Sequence, residues 1–309
     1  MTAEEIAELR RKFYNATVVS LQLPNEELMI LRVKPDAGVP AHRAGQYSTL
    51  GLGHWEPRVP GCQEEVVKPG DEKKLIRRAY SISSSIVDEA GNVPDRTEQD
   101  WLEFYIVLVR HAEKAPPALT PRLFSVKEGD RIFLGEKIAG HYTLEPVKPT
   151  DNVLFLSTGT GEAPHNYMLW QLLHTQHQGK VLAACCVRYQ RDLGYLKIHQ
   201  DLMRRVPSYT YLSLTTRETT NAGQKVYIQD LITSGQLEER LGAPLDPART
   251  HVYLCGNPKM IGVPTLDKET GQLSFPEPLG VIEILSKRGF QMDQPSIKLK
   301  GNIHIEEYW

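Results

Sequence analysis

Around residues 145–152, Glu-Pro-Val-Lys-Pro-Thr-Asp-Asn, the chain changes rhythm. Upstream, short alternating or apolar runs at 16–23, 28–33, 46–51, 79–83, 104–109 and 131–134 are separated by Pro- and Gly-rich turns. Several short strands punctuated this way predict an antiparallel barrel or sandwich. Downstream, strand-like runs at 153–157, 181–187, 209–215 and 252–254 alternate with helix-like segments at 164–177, 196–205, 228–241 and 277–287. That alternation predicts a parallel sheet with helices on both faces, and such sheets bind ligands beyond the carboxyl ends of their strands. The expected architecture is a β-barrel domain over residues 1–150 followed by an α/β domain over 151–309. Thr2 and Glu5 have capping-box spacing, so a short N-terminal helix to about Lys12 is expected. Two polar, turn-rich stretches, 54–74 and 88–99, read as surface insertions.

Composition narrows the function classes. A length of 309 residues suits two domains. With 36 basic against 38 acidic residues the net charge is −2, which argues against a polybasic nucleic-acid binder. No run approaches the roughly 20 apolar residues of a membrane span, and the acidic N-terminus is unlike a signal peptide. The expectation is a cytoplasmic monomer. The four cysteines, Cys62, Cys185, Cys186 and Cys255, lack the C-x4-C-x2-C spacing of a plant-type iron–sulfur centre. Cys185 and Cys186 read as core, and Cys255 as a small buried hydrophobe or a soft contact at a reacting ring. His174 and His177 have ligand spacing on a helix, but no carboxylate or Cys accompanies them, so no metal is expected.

Six segments carry candidate chemistry. Residues 154–164, Leu-Phe-Leu-Ser-Thr-Gly-Thr-Gly-Glu-Ala-Pro, run from an apolar strand through T-G-T-G into a helix. Gly159 and Gly161 permit close approach of a ligand, and the helix start suits a pyrophosphate; a plain glycine turn has the same glycines. Glu162 is awkward there, since a carboxylate repels phosphate although it suits a helix N-terminus. In Arg78-Ala79-Tyr80-Ser81, Arg can pair with a pyrophosphate, Tyr on the same face can stack on a planar heterocycle, and Ser can hydrogen-bond a ring nitrogen. An amphipathic edge strand has the same pattern. The 119–123 segment Leu-Thr-Pro-Arg-Leu offers a helix start with the Thr120 hydroxyl and the Arg122 cation, again suited to phosphate. Thr216-Arg217, with Lys225 and Tyr227, can hold a ribose phosphate and an adenine, or form a solvated loop. Cys255-Gly-Asn-Pro-Lys-Met follows the last clear strand, and the chain closes on Tyr308-Trp309, which can plug a pocket or cap the core.

In order, R-x-Y-S-x-x-S, L-T-P-R-L, T-G-T-G-x-A-P, T-R-E, C-G-N-P-x-M and a terminal E-x-Y-W resemble the ferredoxin–NADP⁺ reductase family, in particular its bacterial ferredoxin/flavodoxin branch. The resemblance implies a Greek-key FAD barrel and an NADP-binding α/β domain. It implies that Arg78 and Thr120 meet the FAD phosphates, with Ala79 in the same strand. Tyr80 would stack on the isoalloxazine and Ser81 would bond its central nitrogen, with Ala44-Gly-Gln-Tyr47 leading into the flavin site. It places Gly159, Thr160 and Gly161 at the NADP pyrophosphate. Thr216, Arg217, Lys225 and Tyr227 would hold the 2′-phosphate and adenine. Cys255 and Glu306 would lie near the nicotinamide, Tyr308 over the flavin and Trp309 on the FAD adenine. The implied activity moves electrons between NADP(H) and ferredoxin or flavodoxin. The carrier would dock on a local basic patch, with Lys73, Lys74 and Arg77 or Arg10, Arg11 and Lys12 as candidates. A flavin reductase serving an oxygenase or quinone, and a non-catalytic electron-transfer subunit, are the alternatives. Glu162 and His165 depart from the family pattern at T-G-T-G-x-A-P-F.

Overall fold

The computed structural model describes residues 1–97, 99–219, 225–266, 273–293 and 300–308. Its first part is the expected barrel. Strands β1 (Ala16–Asn25), β2 (Leu28–Pro35), β3 (Tyr47–Gly53), β4 (Leu75–Ser83), β5 (Leu102–Val107) and β6 (Arg131–Leu134) close in the order β1-β2-β5-β4-β3-β6, every pairing antiparallel. Closure leaves no sheet edge unpaired. Helix α1 (Ala3–Phe13) begins at the capping box: the Glu5 N–H donates to Thr2 Oγ1 at 3.2 Å, and the Thr2 N–H to the Glu5 carboxylate at 2.8 Å. The one-turn helix α2 (Thr120–Leu123) follows β5.

The 54–74 segment is less superficial than its composition predicts. Trp55 and Glu56 are each only 9% exposed. Glu56 accepts from Arg10 Nε and Nη2 (2.9 and 2.6 Å), from the Tyr14 hydroxyl (2.8 Å) and from Trp55 Nε1 (2.9 Å), which fastens α1 to the barrel. The His54 N–H donates to the Lys74 carbonyl at 3.1 Å and closes the segment at its base.

In the second part, β7 (Asn152–Thr158), β8 (Val181–Val187), β9 (Tyr209–Thr215), β10 (Thr250–Gly256) and, after the two-residue pair β11 (Thr265–Leu266) and β12 (Leu273–Ser274), β13 (Ile303–Glu307) appear. The main sheet runs β13-β10-β7-β8-β9, all parallel. Burial from both sides is why β8 reads Val-Leu-Ala-Ala-Cys-Cys-Val without alternation. Helices α3 (Glu162–His174), α4 (Leu196–Arg205), α5 (Ile228–Thr233), α6 (Gln236–Leu241), α7 (Pro258–Ile261) and α8 (Val281–Ser286) complete it. Leu154, Leu182, Leu254 and Ile303 of the sheet form one core with Ile228, Leu237, Val281 and Leu285 of the helices. The single helix expected over 228–241 is two, because Gly235 takes φ +78° between them. The helix expected from 277 starts only at Val281, after Pro278 and the N-cap Gly280.

The chain divides into two compact units, Met1–Ser85 with Pro94–Thr143, and Ile86–Val93 with Leu144–Trp309. The turn expected to end the barrel domain thus groups with the sheet. The Gln178 and Gly179 N–H groups both donate to the Pro149 carbonyl, at 2.9 and 3.3 Å. Likewise Arg205 of α4 donates to the Gly91 carbonyl and holds the 86–93 segment. All four cysteines are free. Among the described residues no helix is long and apolar enough to cross a membrane.

Candidate functional site

Strand β7 is the switch point of the parallel sheet, with β8 and β9 on one side and β10 and β13 on the other. Ligands of such sheets enter where the order reverses, beyond the carboxyl ends of the two diverging strands. Here those ends are the Thr158–Gly161 turn after β7 and Gly256-Asn257 after β10. The two turns are in direct contact. The Asn257 N–H donates to Thr158 Oγ1 at 2.7 Å. A Cβ on Gly161 would lie 2.3 Å from the Cys255 carbonyl oxygen, and one on Gly256, at φ +123°, 2.3 Å from Thr158 Oγ1. Only glycine fits either place. The first-turn N–H groups of α3 point back at this turn and favour an anion.

Strand β13 brings the chain's last residues to the same place. Cys255 pairs with Glu306, and the Tyr308 N–H donates to the Gly256 carbonyl at 3.1 Å. The Tyr308 side chain also hydrogen-bonds Cys255. Burial pushes the Cys255 thiol well above its usual range, the Glu306 charge adds to this, and the Tyr308 bond opposes it. Cys255 is therefore a neutral, polarisable contact rather than a nucleophile. Burial also raises the Glu306 carboxyl, making it a group that holds a proton more tightly than an exposed Glu. So Gly159, Thr160, Gly161, Cys255, Glu306 and Tyr308 assemble in one place. Trp309 lies outside the described residues.

A second group lies on the β8–β9 side. The Thr216 N–H and hydroxyl both donate to the Val187 carbonyl (3.0 and 3.2 Å), and the Arg217 N–H to the Arg188 carbonyl (2.9 Å). This ties the loops after β8 and β9 together and leaves the Arg217 side chain in solvent. Lys225 is exposed and Tyr227, at the start of α5, is 44% exposed, a large ring with an open face.

In the barrel unit, Arg78, Ala79, Tyr80 and Ser81 occupy β4 opposite Leu50, Thr49, Ser48 and Tyr47 of β3. Arg78 and Tyr80 share a face by strand alternation. Arg78 is exposed, its Nη1 donating to the Arg77 carbonyl at 2.8 Å. Burial raises the Tyr80 phenol, with Arg78 opposing, so the ring stays neutral. Ser81 is buried. Thr120 stands on a different element, opening α2, where its Oγ1 accepts from the Val109 N–H at 3.1 Å. Arg122 does not fit its expected phosphate role. It is 3% exposed and is spent on Glu65 Oε2 (2.6 Å), the Ala118 carbonyl (2.7 Å) and the His54 carbonyl (3.1 Å). His174 and His177 do not converge either: His174 stacks on Trp170, while His177 Nε2 is 2.8 Å from the Asp151 carbonyl.

Residues 155–264 match the family of oxidoreductase NAD-binding domains. The flavodoxin/ferredoxin–NADP reductase of Escherichia coli (strain K12) is 32% identical over 219 residues, 71% of this chain and 75% of that protein. The chain belongs to the flavodoxin/ferredoxin–NADP reductase family. The ferredoxin–NADP reductase of Pseudomonas aeruginosa is 28% identical over 258 residues, 80% of this chain and 86% of that one. In fold, the chain is similar to a ferredoxin NADP⁺ reductase from Neisseria gonorrhoeae solved with bound FAD and NADP. The TM-score is 0.67 at 23% identity, covering 96% of this chain and 98% of that one.

For a family member, two features of the site escape sequence reading. Asn257 and Thr158 lock the β7 and β10 turns to each other; the Asn-Pro pair that caps α7 is the one local signal for it. Glu162 does not face the turn at all. It is 2% exposed, and its Oε1 accepts from the Tyr211 hydroxyl at 2.6 Å. Its carboxylate is turned inward, an orientation for which no local pattern is diagnostic.

Proposed function

We propose that the protein is an FAD-dependent reductase that passes electrons between NADP(H) and a one-electron carrier, ferredoxin or flavodoxin, in the cytoplasm. The observation that carries this reading is the meeting of the Thr158–Gly161 turn with Cys255, Glu306 and Tyr308 at the sheet's switch point. A glycine cradle that no Cβ fits suits a pyrophosphate, and a neutral thiol beside a half-buried carboxyl and a phenol suits an uncharged ring. In the barrel, an exposed guanidinium and a neutral tyrosine on one strand face suit the phosphates and ring of FAD. A bound flavin accepts a hydride and releases its two electrons singly.

Each residue then has a task. Arg78 and Thr120 hold the FAD phosphates, with Ala79 leaving room beside them. Tyr80 orients the flavin ring and Ser81 donates to its nitrogen. Gly159, Thr160 and Gly161 hold the dinucleotide pyrophosphate; Thr216, Arg217 and Lys225 hold the 2′-phosphate, and Tyr227 stacks on adenine. Cys255 and Glu306 flank the nicotinamide, which displaces Tyr308. An acidic carrier is met by Arg77, Arg11 and Lys12. Arg10, Lys73 and Lys74 are engaged with Glu56, Glu5 and Asp71.

Stopped-flow reduction of the yellow holoprotein by NADPH and by NADH, followed by mixing with oxidised ferredoxin or flavodoxin, tests the reading. Rapid bleaching by NADPH, slower bleaching by NADH and reoxidation by either carrier are expected. Bleaching with no transfer to either carrier points instead to an oxygenase or quinone acceptor, and no bleaching to a non-catalytic subunit.

A further inference from the structure

The 54–74 segment grips the stretch that leads into α2, and the grip is built on one carboxylate. The Glu65 side chain is 10% exposed and meets three basic groups. Its Oε2 accepts from Arg122 Nη1 at 2.6 Å and lies 3.7 Å from Arg58 Nε, and its Oε1 lies 3.3 Å from His54 Nδ1. Each guanidinium turns further donors to backbone carbonyls. Arg58 Nη2 donates to Gln63 (2.7 Å) and Pro117 (3.0 Å). Arg122 donates to Ala118 (2.7 Å) through Nη1 and to His54 (3.1 Å) through Nη2. Main chain adds to the hold. The Val59 N–H donates to the Pro121 carbonyl at 2.9 Å, and the Gln63 N–H to the Arg110 carbonyl at 2.8 Å. The Gln63 side chain accepts from the Ala112 N–H at 3.0 Å.

These bonds seize two pieces of backbone, 110–112 and 117–122. Between the two runs the hydrogen bond from the Val109 N–H to Thr120 Oγ1, 3.1 Å long. That bond uses the Thr120 oxygen as acceptor, and among the described residues no acceptor takes the hydroxyl proton. A hydroxyl has one proton to give, and Thr120 is partly exposed, so it can give it to a ligand. Where the proton points depends on how the 117–122 backbone is set. Two cations that share one largely buried carboxylate set it, and a buried cation that loses its partner is strongly destabilised. A group that binds a ligand loses much of its effect when displaced by about 1 Å.

We propose that Glu65 is a positioning residue for FAD: through Arg58 and Arg122 it fixes the 117–122 backbone so that the Thr120 hydroxyl is set to donate to an FAD phosphate. The 54–74 segment is then a working part of the cofactor site and not a surface ornament. This rests on the reading of Thr120 as an FAD-phosphate contact.

The test measures the FAD dissociation constant of the holoprotein, from the flavin fluorescence recovered on dilution. The proteins are wild type, Glu65→Gln, Thr120→Ala and the double variant. Thr120→Ala should weaken FAD binding about tenfold, as the loss of one charge-assisted bond requires. Glu65→Gln should weaken it about tenfold when Thr120 is present and by less than about twofold in the Thr120→Ala background. Thr120→Ser keeps the hydroxyl and should bring the full Glu65→Gln effect back. Equal losses in the presence and absence of the hydroxyl mean that Glu65 only supports the fold, and they overturn the proposal while leaving Thr120 its role. If Glu65→Gln does not fold, Arg58→Met replaces it, since this variant releases the Pro117 carbonyl and leaves Glu65 paired to Arg122. The same dependence on the Thr120 hydroxyl is expected of it, and equal losses again overturn the proposal. A Thr120→Ala protein that holds FAD as tightly as wild type removes the Thr120 reading, and the proposal with it.

Discussion

Among the contacts of Tyr308 are two of unequal kind, a backbone N–H to the Gly256 carbonyl and a side-chain bond to the Cys255 sulfur. The second is weak, because a neutral thiol is a poor partner. The backbone bond does not depend on where the ring lies. Tyr308→Ser should tighten NADP⁺ binding and narrow the preference for NADP⁺ over NAD⁺, since the nicotinamide no longer competes with the ring. Equal affinities of variant and wild type for both dinucleotides, measured by flavin difference titration, would reject this gating role. Arg217 makes a different kind of contribution. Its backbone is tied to Arg188 while its guanidinium is in solvent. A charge-assisted bond is worth about 1.5–3 kcal/mol, so Arg217→Ala should raise KM for NADPH roughly 10- to 100-fold and leave NADH nearly untouched. Equal losses for both donors would show that Arg217 does not read the 2′-phosphate.

At the level of elements, α1 depends on one carboxylate. Burial raises Glu56, but the hydrogen bonds from Arg10, Tyr14 and Trp55 together with the Arg10 charge outweigh it, and the group sits below its ordinary value of 4.5. A carboxyl lowered in the folded state contributes stability above its unfolded pKa, and that contribution disappears as pH falls through the folded value. Glu56→Gln should therefore cost about 1–2 kcal/mol at neutral pH, a discounted figure because Arg10 is half exposed. The gap to wild type should close as the pH drops below about 4. Urea unfolding midpoints across that range measure it, and a gap independent of pH would mean that packing of Trp55, not the charge, matters. The 54–74 segment has a comparable anchor in Arg122 and Glu65, both largely buried. This explains why so many of its turn residues hold a defined shape without regular structure.

For the whole molecule, a net charge of −2 means that an acidic carrier cannot be recruited by overall attraction. A local patch must do it. Lys74 is paired to Asp71 at 2.6 Å, and Lys73 lies 3.4 Å from Glu5. Arg77, over the Phe133 ring, is not offset by an ion pair among the described residues. Arg77→Glu should slow reoxidation of the reduced protein by an acidic carrier several-fold at low salt, with the deficit shrinking as salt screens the encounter. Lys74→Ala should change that rate little. If the two variants behave alike, or if the Arg77→Glu deficit is independent of salt, the carrier docks elsewhere.

Local chemistry made much of this protein legible in its sequence. The capping box at Thr2 and Glu5, the alternating barrel strands, the continuous apolar β8 and the T-G-T-G turn are patterns in which each residue's role depends on neighbours a few positions away. The order of the motifs was enough to indicate the family. What the sequence could not show were partnerships across distance. Arg122 looked available for phosphate until folding brought it to Glu65, 57 positions away. Glu162 looked like an obstacle to phosphate, and no local pattern shows that its carboxylate turns inward to Tyr211, 49 positions away, and His199. A charge's meaning depends on which group it meets in a dry interior, and that meeting is made only when the strands and helices pack.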